Sequence, residues 1–183
     1  MHISNSFSNA RKSRKIIPRL LQTMSIEQAA LFRRNGAVVG NVQREAESGL
    51  IDHLGVLFTL GGYPTHAGRD SVSPPDEEYH GWPAVTAACC VMRRDLFTRF
   101  GGFDERFRNS YEDTDFCLKA RAAGFQNYVA NRSVIYHHVS ASPGRKDNDV
   151  QNFALFWERW GDMISILIEA HQQLSDGPVS LIK

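Results

Sequence analysis

The sequence predicts an α/β layered fold. Three observations carry that reading. Apolar runs of strand length, "AVVGNV" (37–42), "DHLGVLFTL" (52–60) and "AVTAACCVM" (84–92), are separated by polar segments. Between and after them stand stretches with helix start and stop signals. From residue 149 onward the apolar residues recur three and four positions apart. Strands that alternate with helices build layers, with helices covering a sheet.

In chain order, residues 1–24 are polar and basic and show no periodicity, so they are expected to be a disordered leader. "SIEQAALFRRNG" reads as a helix capped by Ser25 and stopped by Gly36. The first two strands follow, split by a polar turn. "GGYPTHAGRDSVSPPDEEYHGWP" (61–83) is rich in Gly, Pro and charge and has no apolar period. It is therefore expected to be a long loop, and loops of that length in a compact domain are usually functional. After the third strand, "RRDLFTRF" is a short helix closed by Gly101 and Gly102. A second helix is expected over about 111–123, with Ser110 as N-cap, Lys119 and Arg121 late, and Gly124 as its stop. "NYVA" and "SVIYHH" are strand-like. "DVQNFALFWERW" and "DMISILIEAHQQL" read as two helices.

Bulk properties bound the function. With 183 residues, 42% hydrophobic and 22% charged, the chain can bury one domain's core. No apolar run approaches the roughly 18 residues of a membrane span, and no secretory signal is present. Cys89, Cys90 and Cys117 read as buried free thiols, which suits a reducing, cytoplasmic setting. Residues 1–35 hold seven Lys/Arg against one Glu, whereas the rest hold fourteen basic and nineteen acidic residues. The basic run could touch anionic lipid or nucleic acid. Pro18 interrupts it and no aromatic residues interleave, so a solvated leader is the better reading and no nucleic-acid partner is expected.

The stretch "RNSYEDTDFCLKARAAGF" (108–125) poses the functional question. Glu112, Asp113 and Asp115 fall within four positions at the start of a helix. Acids there are favoured by the helix dipole and by unsatisfied backbone N–H groups, so capping accounts for some of them. It does not demand three.

"TAACCVMRRDLFTRFGGFDERFRNSYEDTDFCLKARAAGF" followed by "SVIYHHVSASPGR" resembles the C-terminal half of a family 2 glycosyltransferase domain. The series comprises a small-residue strand end, an "RR" helix, a "GGFDE.F" turn, an "ED.D.C" helix closed by Gly, and "H…S.S" after a strand. "VGNVQ", "IDHLGVLF" and "NFALFWERW" fit the same pattern, so the resemblance covers residues 25–160, with 161–183 as a C-terminal helix and tail.

The resemblance implies a partial GT-A fold, the nucleotide-diphospho-sugar transferase type of α/β layering. It implies an inverting transfer from a nucleotide-sugar donor to a saccharide or lipid-linked acceptor, in surface-polysaccharide assembly at the inner face of the membrane. Asp113 maps to the family's general base, which takes the proton of the acceptor hydroxyl. Glu112 would orient the acceptor or Asp113, and Asp115 would cap the helix or hold a neighbouring loop. His137 matches the histidine that helps hold a divalent metal, Mn²⁺ or Mg²⁺, and the leaving diphosphate; its neighbour His138 is the alternative, since adjacent strand residues face opposite sides. From the residues themselves, Arg145 is a candidate for a phosphate contact and Trp82 for stacking on an acceptor sugar, with a solvated arginine and a packing tryptophan as the alternatives. His66 and His80 are expected to face solvent, and His53 to be structural. A weaker reading builds a metal hydrolase from His137, His138, Asp147 and Asp149.

The family's N-terminal nucleotide-binding half carries an Asp-x-Asp motif, and this chain has no aspartate before Asp52. That half is thus expected to be missing and the chain to be inactive alone. A sheet edge left exposed would favour association, and the alternative function is a non-catalytic half-domain that binds glycan or a partner chain.

Overall fold

The computed structural model describes residues 35–138 and 147–175. The basic leader, most of the helix expected over 25–36, and Arg145 lie outside the described residues. The strands are β1 (Gly36–Glu45), β2 (Ile51–His53), β3 (Val56–Phe58), β4 (Pro64–His66), β5 (Tyr79–Trp82), β6 (Cys90–Met92) and β7 (Gln126–His137). The helices are α1 (Arg94–Arg99), α2 (Glu112–Ala122) and α3 (Asp149–Ser175).

A five-stranded mixed sheet runs β2-β1-β7-β5, with β6 also paired to β1. Its spine is the parallel pair β1 and β7, in register from Gly36 opposite Gln126 to Glu45 opposite His137. The apolar run at 37–42 becomes the middle of β1, buried throughout, as a central strand between neighbours requires. β5 lies antiparallel to β7 and β6 antiparallel to β1. β3 and β4 form a separate hairpin. The architecture is α/β, as the alternation of elements predicts.

The differences from expectation have local causes. The run 52–60 divides into β2 and β3 at Leu54–Gly55. A Cβ at Gly55 would stand 2.2 Å from the Trp82 ring, so the strand bends where that ring crosses it. Within 84–92 only Cys90–Met92 is strand. Ala84 makes a single bridge to Val56, Val85 is buried beside it, and the Ala87 N–H is spent on a side chain instead of a ladder. "NYVA" and "SVIYHH" are one strand, joined through an irregularity: Asn41 pairs with Ala130, and Val42 already with Val134. The two C-terminal helices are one, since α3 runs unbroken through Trp160 and Gly161, across the boundary expected at 160/161. The loop 61–83 carries β4 and β5.

Two cores flank α2. On the sheet side, Val38, Val42, Val85, Val129, Phe116 and Leu96 pack together; on the other, Leu118 joins Phe58, Phe107, Phe156 and Ile164 from α3. Helix α2 is therefore buried from Thr114 to Leu118 on both sides. This placement fixes its N-terminus, and with it Asp113, relative to the sheet.

Candidate functional site

The three acids of α2 separate by environment. Asp115 is fully buried: its Oδ1 pairs with Arg159 and accepts the Trp160 indole N–H at 2.8 Å, while Lys119 Nζ stands 2.8 Å from Oδ2 and off the axis of a hydrogen bond. Arg159 also binds Asp104 of the "GGFDE" turn at 2.8 Å. Hydrogen bonds from Arg106 and then Arg159 hold the Asp104 carboxyl well below the ordinary carboxylate range. Asp115 is thus the tie between that turn, α2 and α3, and the helix-capping account of it does not hold.

Asp113 is half-buried at the head of α2. Its Oδ2 accepts the Ala87 N–H at 2.8 Å and its Oδ1 accepts the Thr114 N–H at 2.7 Å. The Thr114 hydroxyl also donates to Oδ1, at 3.3 Å, so these donors fix the carboxylate in place and leave a free lone pair on Oδ2. Glu112 lies half-buried beside it.

The N-cap of α2 is Tyr111, not Ser110. Tyr111 sits at φ 74° with no side-chain cap. For a bulky residue this left-handed conformation is strained, and such strain persists only where the surroundings over-determine it. Ser110 is drawn away because its hydroxyl donates to Asp149 Oδ1 and accepts from Asn152 Nδ2, both on α3. Burial pushes the Tyr111 phenol up to about 12, with Asp149 and Tyr63 adding to the effect.

A second constellation gathers at the ends of β2 and β7. Asp52, its side chain 7% exposed, is the hub: Arg69 Nη2 lies 3.1 Å from Oδ1, His66 Nδ1 3.1 Å from Oδ2, and His137 Nε2 3.3 Å from Oδ2 but out of hydrogen-bond alignment. His66 Nδ1 also lies 3.1 Å from the Asp52 carbonyl. Burial, outweighing the nearby Asp52 charge, lowers the His66 pKa. His53 meets His66 edge-on at 4.7 Å and is lowered well below the usual imidazole value by burial and by its two histidine neighbours. His53 Nε2 accepts the Thr86 N–H at 3.5 Å, which leaves Nδ1 as the protonated, buried nitrogen. The expectation that His66 faces solvent fails here: it is half-buried in this cluster, whereas His80 is exposed.

Neighbouring backbone amides therefore link the two constellations, Thr86 reaching His53 and Ala87 reaching Asp113. His138 is exposed, and Asp149 is engaged by Ser110. Among the described residues no group of three or more His, Cys, Asp or Glu is arranged to hold a metal ion, so these residues do not by themselves make a cation site and the hydrolase reading has no centre. Trp82 is in the core, 8% exposed, its ring against Gly55, so it packs and has no open face for a sugar. Cys117 is buried, while Cys89 and Cys90 are only half-buried; all three are free, and burial pushes the Cys90 thiol up to about 12. Among the described residues no helix is long and apolar enough to cross a membrane.

Sequence reasoning missed Asp52 and Arg69: Asp52 pairs with His66 and lies beside His137, and Arg69 donates to Asp52. It also missed Tyr63 and Trp157, whose partly exposed rings flank Phe153 of α3. The aromatic spacing Phe153–Trp157 on α3 was the available signal for the latter pair.

No family model matches the chain, and no solved structure matches it. It is 36% identical over 131 residues to an uncharacterized protein, y4gI, of Sinorhizobium fredii, an overlap of 66% of this chain and 14% of that protein. It is 33% identical over 101 residues to the O-antigen biosynthesis protein RfbC of Myxococcus xanthus, covering 51% of this chain and 8% of RfbC. Over 81 residues it is 33% identical to the N-acetylglucosaminyl-diphospho-decaprenol L-rhamnosyltransferase of Mycobacterium tuberculosis, covering 44% of this chain and 26% of that enzyme. The chain thus spans about a quarter or less of the length of each of these relatives, and over that part it is similar to proteins named for O-antigen biosynthesis and for rhamnosyl transfer.

Proposed function

We propose that this chain carries the acceptor side of an inverting family 2 glycosyltransferase of the GT-A type, with Asp113 as general base. The observation that carries the reading is the carboxylate of Asp113, held by backbone N–H groups on both oxygens at the half-buried head of α2. The names of the two glycan-related relatives support the same chemistry.

A sugar hydroxyl is a weak nucleophile until a positioned base takes its proton. In the proposed step that proton passes to a carboxylate oxygen of Asp113. The acceptor oxygen forms its bond to the anomeric carbon of the nucleotide-sugar from the opposite side, and the bond to the diphosphate breaks with its electron pair leaving on the nucleoside diphosphate. A base of this kind supplies a factor of about 10²–10⁴, or roughly 3–5 kcal/mol of barrier. The fixed carboxylate needs no reorientation when the acceptor arrives. His137, beside Asp52 at the sheet edge, is the described residue proposed to face the donor's diphosphate. A divalent cation would need further ligands from outside the described residues, so no step is assigned to it.

Donor positioning is the larger requirement, since proximity and orientation can be worth about 7–11 kcal/mol. The chain alone is therefore expected to show no appreciable transfer from any nucleotide-sugar with Mn²⁺ or Mg²⁺. A longer protein that also supplies a donor-binding half should turn over, and Asp113→Asn should lower its kcat by about 10²–10⁴. Turnover that survives Asp113→Asn would remove the base from this reading. If the longer protein binds glycan but never transfers, a non-catalytic half-domain is the correct description.

A further inference from the structure

Next to the head of α2 the surface is aromatic. The β3–β4 hairpin turns tightly through Thr59–Tyr63, with the Gly62 N–H on the Thr59 carbonyl and the Tyr63 N–H on Thr59 Oγ1. The turn lies directly on α3: a Cβ at Gly62, φ 81°, would stand 2.1 Å from the Trp157 ring. The Tyr63 ring stacks on Phe153 at 3.9 Å and 12°, and Phe153 in turn lies 5.9 Å from Trp157 and 6.5 Å from Tyr111. Tyr63 is nevertheless 50% exposed and Trp157 40%. One continuous aromatic layer thus runs from the residue two before Asp113 out to the hairpin tip, and its outer members remain open.

We propose that Tyr63 and Trp157 form the acceptor platform, on which a pyranose ring of the acceptor saccharide lies before its hydroxyl meets Asp113. This inference rests on the reading of Asp113 as base, and it supplies the stacking residues that buried Trp82 cannot. The chemistry of the surface selects the ligand. Aromatic faces are electron-rich and attract the C–H groups on one face of a pyranose. The polar edge is also present, in the Tyr111 phenol beside Asp149, the Asp149 carboxylate itself and Asp113. These groups suit a ring with hydroxyls around its rim, whereas an alkyl chain would cover them and offer no hydrogen bond in place of water. Tyr111 joins the layer to the head of α2: its ring packs against Phe153 and Phe156 of α3, and Asp113 stands two residues further along the chain.

The acceptor side is present in this chain, so the test needs no donor. Methyl glycopyranosides of the gluco, N-acetylglucosamino, galacto and rhamno series are titrated against the chain, with Trp157 fluorescence and saturation-transfer NMR as readouts. At least one should bind saturably, and an acyclic polyol should not. Tyr63→Leu, which keeps apolar packing on Phe153, and Trp157→Leu should each weaken that binding by about fivefold or more, with far-UV circular dichroism unchanged. Absence of pyranoside binding, or equal binding by both leucine variants, would overturn the platform. So would binding to phospholipid vesicles through Trp157 in place of pyranosides. The two readings fail separately: platform variants that leave the acceptor KM of the longer enzyme unchanged sink this inference alone, whereas intact saccharide binding with Asp113-independent transfer sinks the base alone.

Discussion

The carboxylate of Asp115, inside the helical layer, and that of Asp52, at the edge of the sheet, meet the same problem with different partners. Both are withdrawn from water and each has three cationic or donor side chains around it. Around Asp115 these are Arg159, Lys119 and the Trp160 indole, with no histidine among them. Around Asp52 they are one arginine, its side chain 55% exposed, and two imidazoles. The first arrangement is a permanent clasp between helices. The second joins a loop to two strand ends and can be altered by a proton. Asp113 lies between them, tied to the first through α2 and to the second through the Thr86–Ala87 backbone, so this carboxylate is braced on its helical side and adjustable on its sheet side.

The comparison can be broken or sharpened by experiment. The largest expected effect is from Asp115→Ala, which leaves Arg159 and Lys119 without their buried partner and should cost about 3–5 kcal/mol in urea unfolding. Replacing Asp115 and Arg159 together with Leu and Met should recover part of that loss, because the guanidinium is no longer left unpaired, Asp104 keeps Arg106, and only Lys119 loses its partner. Asp52→Asn should cost less, about 1–3 kcal/mol, since it weakens hydrogen bonds in a region where water can reach Arg69. It should also release the 64–69 segment, seen as new tryptic cleavage after Arg69 with the rest of the chain intact. Equal losses for the two aspartates would erase the distinction drawn here.

Next comes pH. His53 and His66 both have folded-state pKa values below the ordinary 6.5, so the unfolded chain binds more protons than the folded one in the window beneath that value. Stability is full above 6.5 and falls as pH drops through the window between the ordinary and the lowered values. The midpoint of urea unfolding should follow that slope in the parent, and His53→Asn should flatten it. A parent midpoint that does not change below pH 6.5 would show that the sheet-edge cluster is as indifferent to protons as the Asp115 clasp. The smallest effect is expected from Lys119→Met, which removes one partly exposed arm of the clasp and should change stability by no more than about 1 kcal/mol.

What the sequence disclosed was what is local. The β1 run, the Gly124 stop and the position of Asp113 at a helix head all rest on patterns a few residues long, and the structure has them. Gly124 takes φ 85° and closes α2 as expected. Long-range pairings were not legible. "IDHLG" gives no sign that Asp52 will meet His66, 14 residues on, and then His137. Ser110 looked like an N-cap because nothing nearby shows that Asp149 and Asn152 compete for its hydroxyl from 39 and 42 residues away. The run 84–89 looked like strand because it is apolar, yet its backbone serves His53 and Asp113. The part of the site that escaped the sequence is the part that tertiary contacts assemble.

The Asp115 clasp also sets an order of events during folding. Arg159 lies 44 residues from Asp115 and 55 from Asp104, so both closures must be made before the guanidinium can bridge them. Closures of long span cost loop entropy before any contact rewards them, and they tend to come late. The parallel β1–β7 spine closes a longer stretch still, from Gly36 to Gln126, and the clasp needs in addition that α3 be seated against both α2 and the turn at Asp104, so the clasp is the last of these closures. In kinetic terms the clasp belongs to the far side of the barrier: Asp115→Ala should accelerate unfolding far more than it slows refolding, so that this ion cluster governs how long the native chain persists more than how fast it forms.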